Sequence, residues 1–282
     1  MNPQTLLRLC SFTYLNLPEL YARRLGRGET VTLAEVARAL RRLDDLGALS
    51  CGAYLENAGR ELAALEKSPL RILAYENDNV DTGFVAYAFG EPGGGVIVAV
   101  RGSEGKGKCV PTNVDWRDNF CAPLNGSVQS AAATAFADRF SHGSLLITGH
   151  SKGGNVALYA QSTAQNPLAR AVAFNGQGFA RCELSGEQRR RLRSGAVNYV
   201  VAGDIVGALL YHPETRFYVK QNPGTNAHSP DAYAFDAEGW PIPARRAPLT
   251  YAVEALSRLL VALERLGITN FTRRLLNCPT PT

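Results

Sequence analysis

The chain has 282 residues, of which 45% are hydrophobic and 20% charged, the composition of an ordinary globular protein. This composition excludes a disordered chain and a fibrous repeat. Thirty basic and 25 acidic residues give a net charge of +5, which is too small to indicate nucleic-acid binding. No stretch of the sequence approaches the roughly 20 uncharged apolar residues that span a bilayer.

The N-terminus and the cysteines bear on the cellular compartment. Residues 1–24 have neither a basic start nor an unbroken apolar block, so we expect no secretory signal. The six cysteines include no CxxC pair and no metal-ligand spacing. We interpret them as reduced thiols rather than disulfides, and we predict a cytoplasmic protein.

Hydrophobic periodicity predicts helices first, and then strands that alternate with helices. Residues 1–65 are predicted to be helical, and the segment 31–46 carries one apolar face with Thr32 as its cap. Short apolar or alternating runs predict strands at 72–75, 83–89, 96–100, 145–148, 171–174, 196–201 and 217–219, with helices at 156–164 and 251–266.

This order of elements is typical of an α/β protein. It predicts a mainly parallel central sheet flanked by helices. We find no internal repeat and no linker, so we expect one domain over residues 1–282, with the helical segment 1–65 packed on the same core.

The strongest functional signal is the hexapeptide GHSKGG at residues 149–154. It lies where a buried strand meets a helix, which is the context of a G-x-S-x-G nucleophile elbow. The sharp turn crowds the backbone, so the flanking glycines avoid clashes, and the helix N-terminus favours developing negative charge. The pattern predicts a nucleophilic serine at Ser151; the alternative is a glycine-rich turn without chemistry.

A nucleophilic serine needs a histidine base, which follows the serine along the chain in this class of site. His142 and His150 precede Ser151, so only His212 and His228 remain. We favour His228, because its loop is rich in turn residues and could reach the nucleophile. His212 precedes a proline, and we interpret it as an ordinary surface residue.

Asp204 is the favoured acid partner of the histidine. It follows the strand 196–201 and a glycine, and a carboxylate at the C-terminal end of a strand is well placed to orient a histidine. The alternative is that Asp204 caps the following segment, 205–210. Asp231 and Asp236 are the reserve candidates.

The oxyanion hole needs two N–H donors near Ser151. One is expected from Lys152, the residue after the nucleophile, and the other from the loop 101–103 after the strand 96–100. The Ser103 hydroxyl could add a third donor.

Three of these stretches together resemble the class 3 lipases, which are α/β-hydrolases. They are VRGSEG at 100–105, VDWRDNF at 114–120 and ITGHSKGGNVALYA at 147–160. The chain resembles in particular a bacterial branch with a GHSKGGN elbow, which it also matches at 11–20, 31–40, 174–179, 203–212 and 227–236. The resemblance implies Ser151 as nucleophile, Ser103 and Lys152 as oxyanion donors, and Asp204 and His228 as the rest of a triad.

Two positions depart from the class 3 pattern. Asn119 stands three residues after the Trp of the DW motif, where the family often has an acid that supports the oxyanion loop. Gly207 stands where better-known class 3 lipases have proline.

The sequence therefore predicts a serine hydrolase that cleaves carboxylic esters through an acyl-enzyme, without metal or organic cofactor. We expect a small-molecule ester or lipid substrate and no nucleic-acid partner. A thioesterase or acyltransferase is one alternative. Another is a non-catalytic binding module with a decayed site, which is favoured if His228 lies far from Ser151.

Two further segments allow rival interpretations. Residues 102–109 nearly match the phosphate-binding P-loop, but Cys109 replaces the hydroxyl that binds magnesium. We interpret 104–114 as a mobile basic flap beside the oxyanion hole or as a surface loop. The arginines within 189–193 are interpreted as a solvated helix face, with transient contact to an anionic membrane surface as the alternative.

Overall fold

The computed structural model describes residues 1–49, 57–103 and 114–270, apart from the side chains at 114–117, 120 and 125. Within these residues, eight strands form one sheet in the order of the sequence. The strands are β1 (Val31–Thr32), β2 (Arg71–Asp78), β3 (Phe84–Gly90), β4 (Val96–Val100), β5 (Leu145–His150), β6 (Arg170–Phe174), β7 (Ala196–Val201) and β8 (Thr215–Val219). Strands β1 to β4 pair antiparallel, and β4 to β8 pair parallel.

Helices cover both faces of this sheet. The described α-helices are α1 (Pro3–Phe12), α2 (Glu19–Gly26), α3 (Leu33–Arg41), α4 (Ala58–Leu65), α5 (Val114–Asn125), α6 (Val128–Asp138), α7 (Lys152–Thr163), α8 (Gly186–Gly195) and α9 (Pro248–Arg265). Helices α1, α3 and α4 share a buried cluster with one face, whereas α6 and α7 share another cluster with the opposite face. Helix α8 packs beside α7 over β6 and β7.

Strand β4 carries apolar side chains on both faces of the sheet. Its residues alternate, with Ile97 and Ala99 in the cluster of the N-terminal helices and Val98 and Val100 in the cluster of α6 and α7. Successive side chains of a strand point to opposite faces, so a continuous apolar run fits a strand that is covered on both sides. The predicted α/β-hydrolase fold, with a mostly parallel sheet flanked by helices, is confirmed.

Two details differ from the sequence-based expectation. The first three strand pairings are antiparallel. Short turns such as residues 91–95 join β2, β3 and β4, and such turns connect antiparallel strands. Helix α3 ends at Arg41 rather than near residue 46, and Leu43 beyond it is exposed. Thr32 caps α3 as predicted, since its side chain accepts a hydrogen bond from the Glu35 N–H.

The interpretation of all cysteines as reduced thiols is wrong for Cys121, which is disulfide-bonded. Pairing depends on how closely the fold brings two Cβ atoms together, and spacing along the chain does not reveal it. Cys10 and Cys182 are free. Burial raises the pKa of the Cys10 thiol to about 12, which makes it a poor nucleophile.

Among the described residues, no helix combines the length and the apolar character that a bilayer span needs.

Candidate active site

The turn at Ser151 joins β5 directly to α7. Strand β5 ends at His150, α7 begins at Lys152, and Ser151 between them has φ 58° and ψ −126°. A positive φ is unfavourable for a residue with a side chain, and such strain persists where the surrounding structure enforces it. The Ser151 N–H donates to the Phe174 carbonyl at 2.9 Å, which fixes the turn against the end of β6.

The glycines of the turn are required by close backbone contacts. A Cβ at Gly149 would lie 2.2 Å from the backbone of Gly153, and a Cβ at Gly153 would lie 2.4 Å from the Val100 carbonyl oxygen. Neither obstacle is a flexible side chain, so any larger residue would displace the backbone. The local sequence therefore allows the strand, the turn and the helix to meet without a gap.

Ser151, His228 and Asp204 form a continuous chain of polar contacts. The Ser151 Oγ lies 2.8 Å from His228 Nε2, and His228 Nδ1 lies 2.9 Å from Asp204 Oδ1. The His228 side chain is 24% exposed, whereas that of Asp204 is 2% exposed. A buried carboxylate thus faces a histidine that remains partly open to solvent.

Asp204 makes both of the contacts that the sequence suggested as alternatives. Its Oδ1 faces His228, and its Oδ2 accepts a hydrogen bond from the Gly207 N–H at 2.6 Å. A proline at position 207 could not donate this bond. A Cβ there would also lie 2.8 Å from a Val200 methyl group, so glycine fits this position for two independent reasons.

Asn175 supports the His228 loop and was not identified from the sequence. Its Nδ2 donates to the Ala227 carbonyl at 3.0 Å, and its Oδ1 accepts from the Val201 N–H at 2.9 Å. It therefore ties the residue before His228 to the end of β7. Asn175 has φ 47°, a conformation that asparagine tolerates better than most residues, and its position inside FNGQGF was the available signal.

His150 is fully buried against His228. The two ring centroids are 5.1 Å apart at an angle of 40°. Burial, followed by the nearby His228, lowers the pKa of His150 well below its usual value. A neutral His150 therefore provides a packing surface for His228 and adds no second positive charge.

The loop after β4 approaches the elbow from the other side. A Cβ at Gly102 would lie 2.3 Å from the Tyr14 hydroxyl and 2.6 Å from the His150 carbonyl oxygen. Ser103 follows, and its Oγ accepts a hydrogen bond from Asn119 Nδ2 at 2.6 Å. Lys152 is the first residue of α7, so its backbone N–H has no acceptor within the helix.

The other candidate histidines lie away from Ser151. His142 is exposed before the start of β5, at the far end of that strand. The expectation that His212 is a surface residue is wrong: its side chain is fully buried, and Nδ1 lies 2.7 Å from Glu214 Oε1. The sequence around His212 carried no sign of Glu214 as a partner beyond its position two residues later.

The reserve acids are also occupied elsewhere. Asp231 accepts hydrogen bonds from Asn57 at 2.6 Å and Arg60 at 3.0 Å, and Asp236 accepts backbone N–H groups in its own turn. The P-loop-like stretch and the flap fall on residues 104–113, which lie outside the described residues.

A cavity of about 410 Å³ lies between α1, α4 and the chain after His228. Its apolar lining includes Leu7, Phe12, Leu62 and Tyr233. Tyr14 also lines the cavity, and a Cβ at Gly102 would lie 2.3 Å from its hydroxyl. Charged side chains line the cavity as well, namely Arg8, Arg60, Glu61 and Asp231, whereas Ser151 and His228 do not. In the described part of the chain, no cluster of three or more His, Cys, Asp or Glu side chains could hold a metal ion.

Solved structures with partly similar folds include several lipases. A mutant form of MDLA from Penicillium cyclopium is 13% identical, with a TM-score of 0.47 over 85% of this chain and 90% of that one. A fungal lipase is 12% identical, with a TM-score of 0.45 over 84% and 92%. The Lip2 lipase from Yarrowia lipolytica is 10% identical, with a TM-score of 0.43 over 91% and 90%. Identities this low do not transfer an activity to this chain.

Sequence comparison points to one family. Among curated proteins, none matches the chain. The family model described as Mbeg1-like matches residues 68–242, which is more than half of the 282 residues. The matched span runs from before β2 to beyond β8 and contains Ser151, Asp204 and His228. The chain belongs to the Mbeg1-like family.

Proposed function

We propose that this protein is a serine hydrolase that cleaves carboxylic esters through an acyl-enzyme. The observation that carries the proposal is the chain of contacts from Asp204 through His228 to Ser151, with distances of 2.9 and 2.8 Å. These distances are within the reach that a general base needs to take a proton from a nucleophile. The strained elbow presents Ser151 at the end of β5, as the chemistry requires.

In this proposal, Ser151 Oγ attacks the ester carbonyl carbon while its proton passes to His228 Nε2. Asp204 accepts the Nδ1–H bond, which selects the tautomer with a free Nε2 and stabilises the imidazolium that forms. When the carbon–oxygen bond of the ester breaks, His228 delivers the proton to the leaving alcohol. Water then attacks the acyl-enzyme, with His228 again taking the proton, and the carboxylic acid is released.

The negative charge on the carbonyl oxygen would be stabilised by the N–H groups of Lys152 and Ser103, together with the Ser103 hydroxyl. The Asn119 bond to Ser103 Oγ supports this assignment, because it orients the hydroxyl and fixes the loop beside the elbow. Preorganised donors of this kind account for roughly 10²–10³ in kcat each. No metal ion or organic cofactor takes part.

The cavity beside α1 supports a substrate with an apolar acyl group. Its walls combine leucine and aromatic side chains with the charged side chains of Arg8, Arg60, Glu61 and Asp231. The apolar part of the walls suits a lipid-like or small hydrophobic acyl group. We further propose that residues 1–282 act as one domain.

We also propose transient contact with an anionic membrane surface. Within α8, Arg189 and Arg191 donate to main-chain carbonyl groups of neighbouring segments, so both have structural contacts. Arg190 and Arg193 remain exposed and could meet anionic headgroups. Two charges give a transient attraction at most.

A fluorophosphonate probe and a panel of p-nitrophenyl esters test the activity. The wild-type protein should be labelled and should hydrolyse esters, whereas Ser151→Ala should lose both, with a rate at least about 10⁴-fold lower. Its melting temperature should stay close to that of the wild type, because alanine fits the same turn. A variant that keeps more than about a tenth of the rate would exclude Ser151 as the nucleophile.

The same assays separate the alternative functions. A decayed binding module would be neither labelled nor active; the 2.8 Å contact of His228 with Ser151 does not meet the condition that favours it. A thioesterase would process acyl thioesters with a higher kcat/KM than the matched oxygen esters. An acyltransferase would form a new ester in preference to free acid when an alcohol acceptor is added.

A further inference from the structure

A buried ion pair lies directly beside the nucleophile elbow. The Lys152 side chain is 1% exposed, and its Nζ lies 2.6 Å from Asp118 Oδ2, on a side chain that is 6% exposed. The proposed function uses only the backbone N–H of Lys152, so it leaves this side chain unexplained. Burying two charges costs free energy that apolar residues of similar size would avoid, which suggests a role beyond stability.

Asp118 on α5 contacts the N-terminal ends of two other helices, α6 and α7. Its Oδ2 accepts a hydrogen bond from Ser127 Oγ at 2.5 Å. Its Oδ1 accepts the Val128 N–H at 3.0 Å, at the start of α6. Through Lys152, the same carboxylate also meets the first residue of α7. The carboxylate therefore joins α5, α6 and the elbow at one point.

The next residue of α5 reaches the other half of the oxyanion site. Asn119 donates to Ser103 Oγ at 2.6 Å. Among the described residues, α5 thus contacts both proposed sources of oxyanion donors: the elbow through Asp118, and the loop after β4 through Asn119. The loop that contains Ser103 follows β4, and the elbow that contains Lys152 follows β5. The distance between these two backbone N–H groups therefore depends on the contacts that hold the two segments together.

We propose that the Lys152–Asp118 ion pair positions α5 against the elbow, so that the Ser103 and Lys152 N–H groups face the same carbonyl oxygen. This inference rests on the proposed ester hydrolysis. The Lys152 ammonium and Asp118 act as positioning groups and do not touch the substrate. Oxyanion donors must lie about 2.7–3.1 Å from the charged oxygen, so a small shift of Ser103 relative to Lys152 weakens transition-state binding.

Three variants separate positioning from stability. Lys152→Met keeps the backbone N–H and the length of the side chain, and Asp118→Asn keeps an acceptor for the Val128 N–H. Each single variant leaves one buried charge without its partner and should lower the melting temperature. The double variant Lys152→Met/Asp118→Asn removes both charges, and its melting temperature should return most of the way to the wild-type value.

The catalytic constants should not follow the melting temperature. In all three variants we expect kcat to fall roughly 10- to 100-fold, somewhat less than the roughly 10²–10³ for outright loss of one oxyanion donor, with KM changed by less than about threefold. The inhibition constant of a trifluoromethyl ketone, which forms an oxyanion adduct with the serine, should rise in proportion to the loss of kcat. Assays without reductant keep the Cys121 disulfide intact in every variant.

A matched control removes an ion pair that lies far from the elbow. Arg24 Nη1 on α2 lies 2.5 Å from Glu35 Oε1 on α3. The double variant Arg24→Met/Glu35→Gln should leave kcat unchanged. If the Lys152→Met/Asp118→Asn protein regains both its melting temperature and its wild-type kcat, the ion pair is only structural and the positioning role is wrong. A wild-type protein that is neither labelled by fluorophosphonate nor active on esters contradicts the proposed function itself, and the positioning role with it.

Discussion

His212 and His228 both face a carboxylate, but their other ring nitrogens have different neighbours. His228 Nε2 reaches Ser151 Oγ, whereas His212 Nε2 lies 2.9 Å from the Leu209 carbonyl oxygen. The carboxylate of Glu214 and the Leu209 carbonyl thus occupy both ring nitrogens of His212. Neither nitrogen faces Ser151, so His212 cannot serve as the base in the proposed mechanism.

The two alanine variants should therefore fail in opposite ways. His212→Ala leaves the buried Glu214 without its His212 partner, and we expect a loss of about 3–5 kcal/mol in the free energy of unfolding, with kcat per folded molecule within a few-fold of wild type. His228→Ala should lower kcat on the order of 10⁴-fold with little loss of stability. Thermal unfolding and ester hydrolysis, measured on the same samples, check both variants. A catalytic loss confined to His212→Ala would reverse the assignment of the base.

Glu183 makes a separate prediction about pH. Burial raises its pKa to about 7, and this outweighs the hydrogen bond from the Ala180 N–H and the attraction of Lys152. The folded protein then holds a proton that the unfolded chain, with an ordinary glutamate pKa near 4.5, releases. Stability contributed by this proton is complete below about pH 4.5 and is lost as the pH rises to about 7.

Glu183→Gln should remove this dependence, because the amide keeps an acceptor for Ala180 and cannot ionise. Relative to the wild type, the variant should gain stability as the pH rises from about 4.5 to 7, by at most about 3 kcal/mol at pH 8. Denaturant unfolding of both proteins at several pH values measures the difference. Parallel stability curves across this range would contradict the raised pKa.

The sequence identified the residues whose position beside Ser151 follows from local context or chain order, and their roles stay a prediction. The elbow was visible because its glycines surround a serine between a strand and a helix. The partner of His212 was not, because the ion pair depends on burial that a single neighbouring proline does not indicate. Asn175 was also missed, because a side chain that bridges two main-chain segments leaves no periodic pattern in the sequence.

Among the elements, helix α1 combines packing with a wall of the cavity. Cys10 on α1 lies 3.4 Å from the Thr148 hydroxyl of β5, whereas Leu7, Ser11 and Phe12 line the cavity. The same helix thus rests on the central strand and faces the space that we assign to the acyl group. A substitution on the cavity side can change that space without altering the contact with the sheet.

Ser11→Phe should narrow this cavity and shift the preference for acyl-chain length. The ring adds volume to a wall of a cavity of about 410 Å³, so long-chain esters should lose kcat/KM by about tenfold or more, while acetate esters lose little. Ser194→Phe, on the exposed end of α8, is the matched control and should leave the profile unchanged. Equal losses for short and long chains in Ser11→Phe would place the acyl group elsewhere.

Elements with a clear hydrophobic pattern in the sequence were predicted, and elements without such a pattern were not. Strands β4 and β7 have the predicted boundaries, because both are apolar runs flanked by turn residues or polar segments. Helices α5 and α6 were not predicted. Helix α5 contains Pro123, and α6 is built mainly from alanine and other small residues that let it pack closely on α7, so neither shows a clear apolar stripe.

The arrangement of the whole molecule follows from the order of its strands. Strands β4 to β8 are parallel and lie side by side in the order of the sequence. When the crossover connections between such strands all have the same handedness, the helices within those connections lie on the same face of the sheet. Helices α6, α7 and α8 accordingly share a side of the sheet. The alternation of strands and helices predicted an α/β fold, but it did not show that the crossover helices leave one face uncovered.

The N-terminal helices cover the face of the sheet that the crossover helices leave uncovered. Tyr87, Phe89 and Ile97 point to this side and are almost fully buried in the cluster with α1, α3 and α4. The Mbeg1-like match begins at residue 68, so it contains strands β2 to β8 but none of these helices. That residues 1–282 form one domain stays a prediction, and removal of the segment can decide it.

A chain of residues 66–282 should not fold by itself. Without α1, α3 and α4 it exposes a large aromatic and aliphatic surface, far beyond what a stable protein leaves in contact with water. We expect insoluble expression, or a soluble form without cooperative unfolding and without fluorophosphonate labelling.

The matched control is residues 1–247, which lacks α9, a helix whose apolar residues Leu256, Leu259 and Leu260 are already exposed. That chain should unfold cooperatively at a lower temperature, because it loses the contacts of Glu254 with Arg216 and Arg246, of Ser257 with the Leu210 N–H, and of Arg265 with the Pro123 and Leu124 carbonyl groups. Circular dichroism and thermal unfolding compare the two. A 66–282 chain that unfolds cooperatively and reacts with the probe would show that residues 1–65 are not part of the same folding unit.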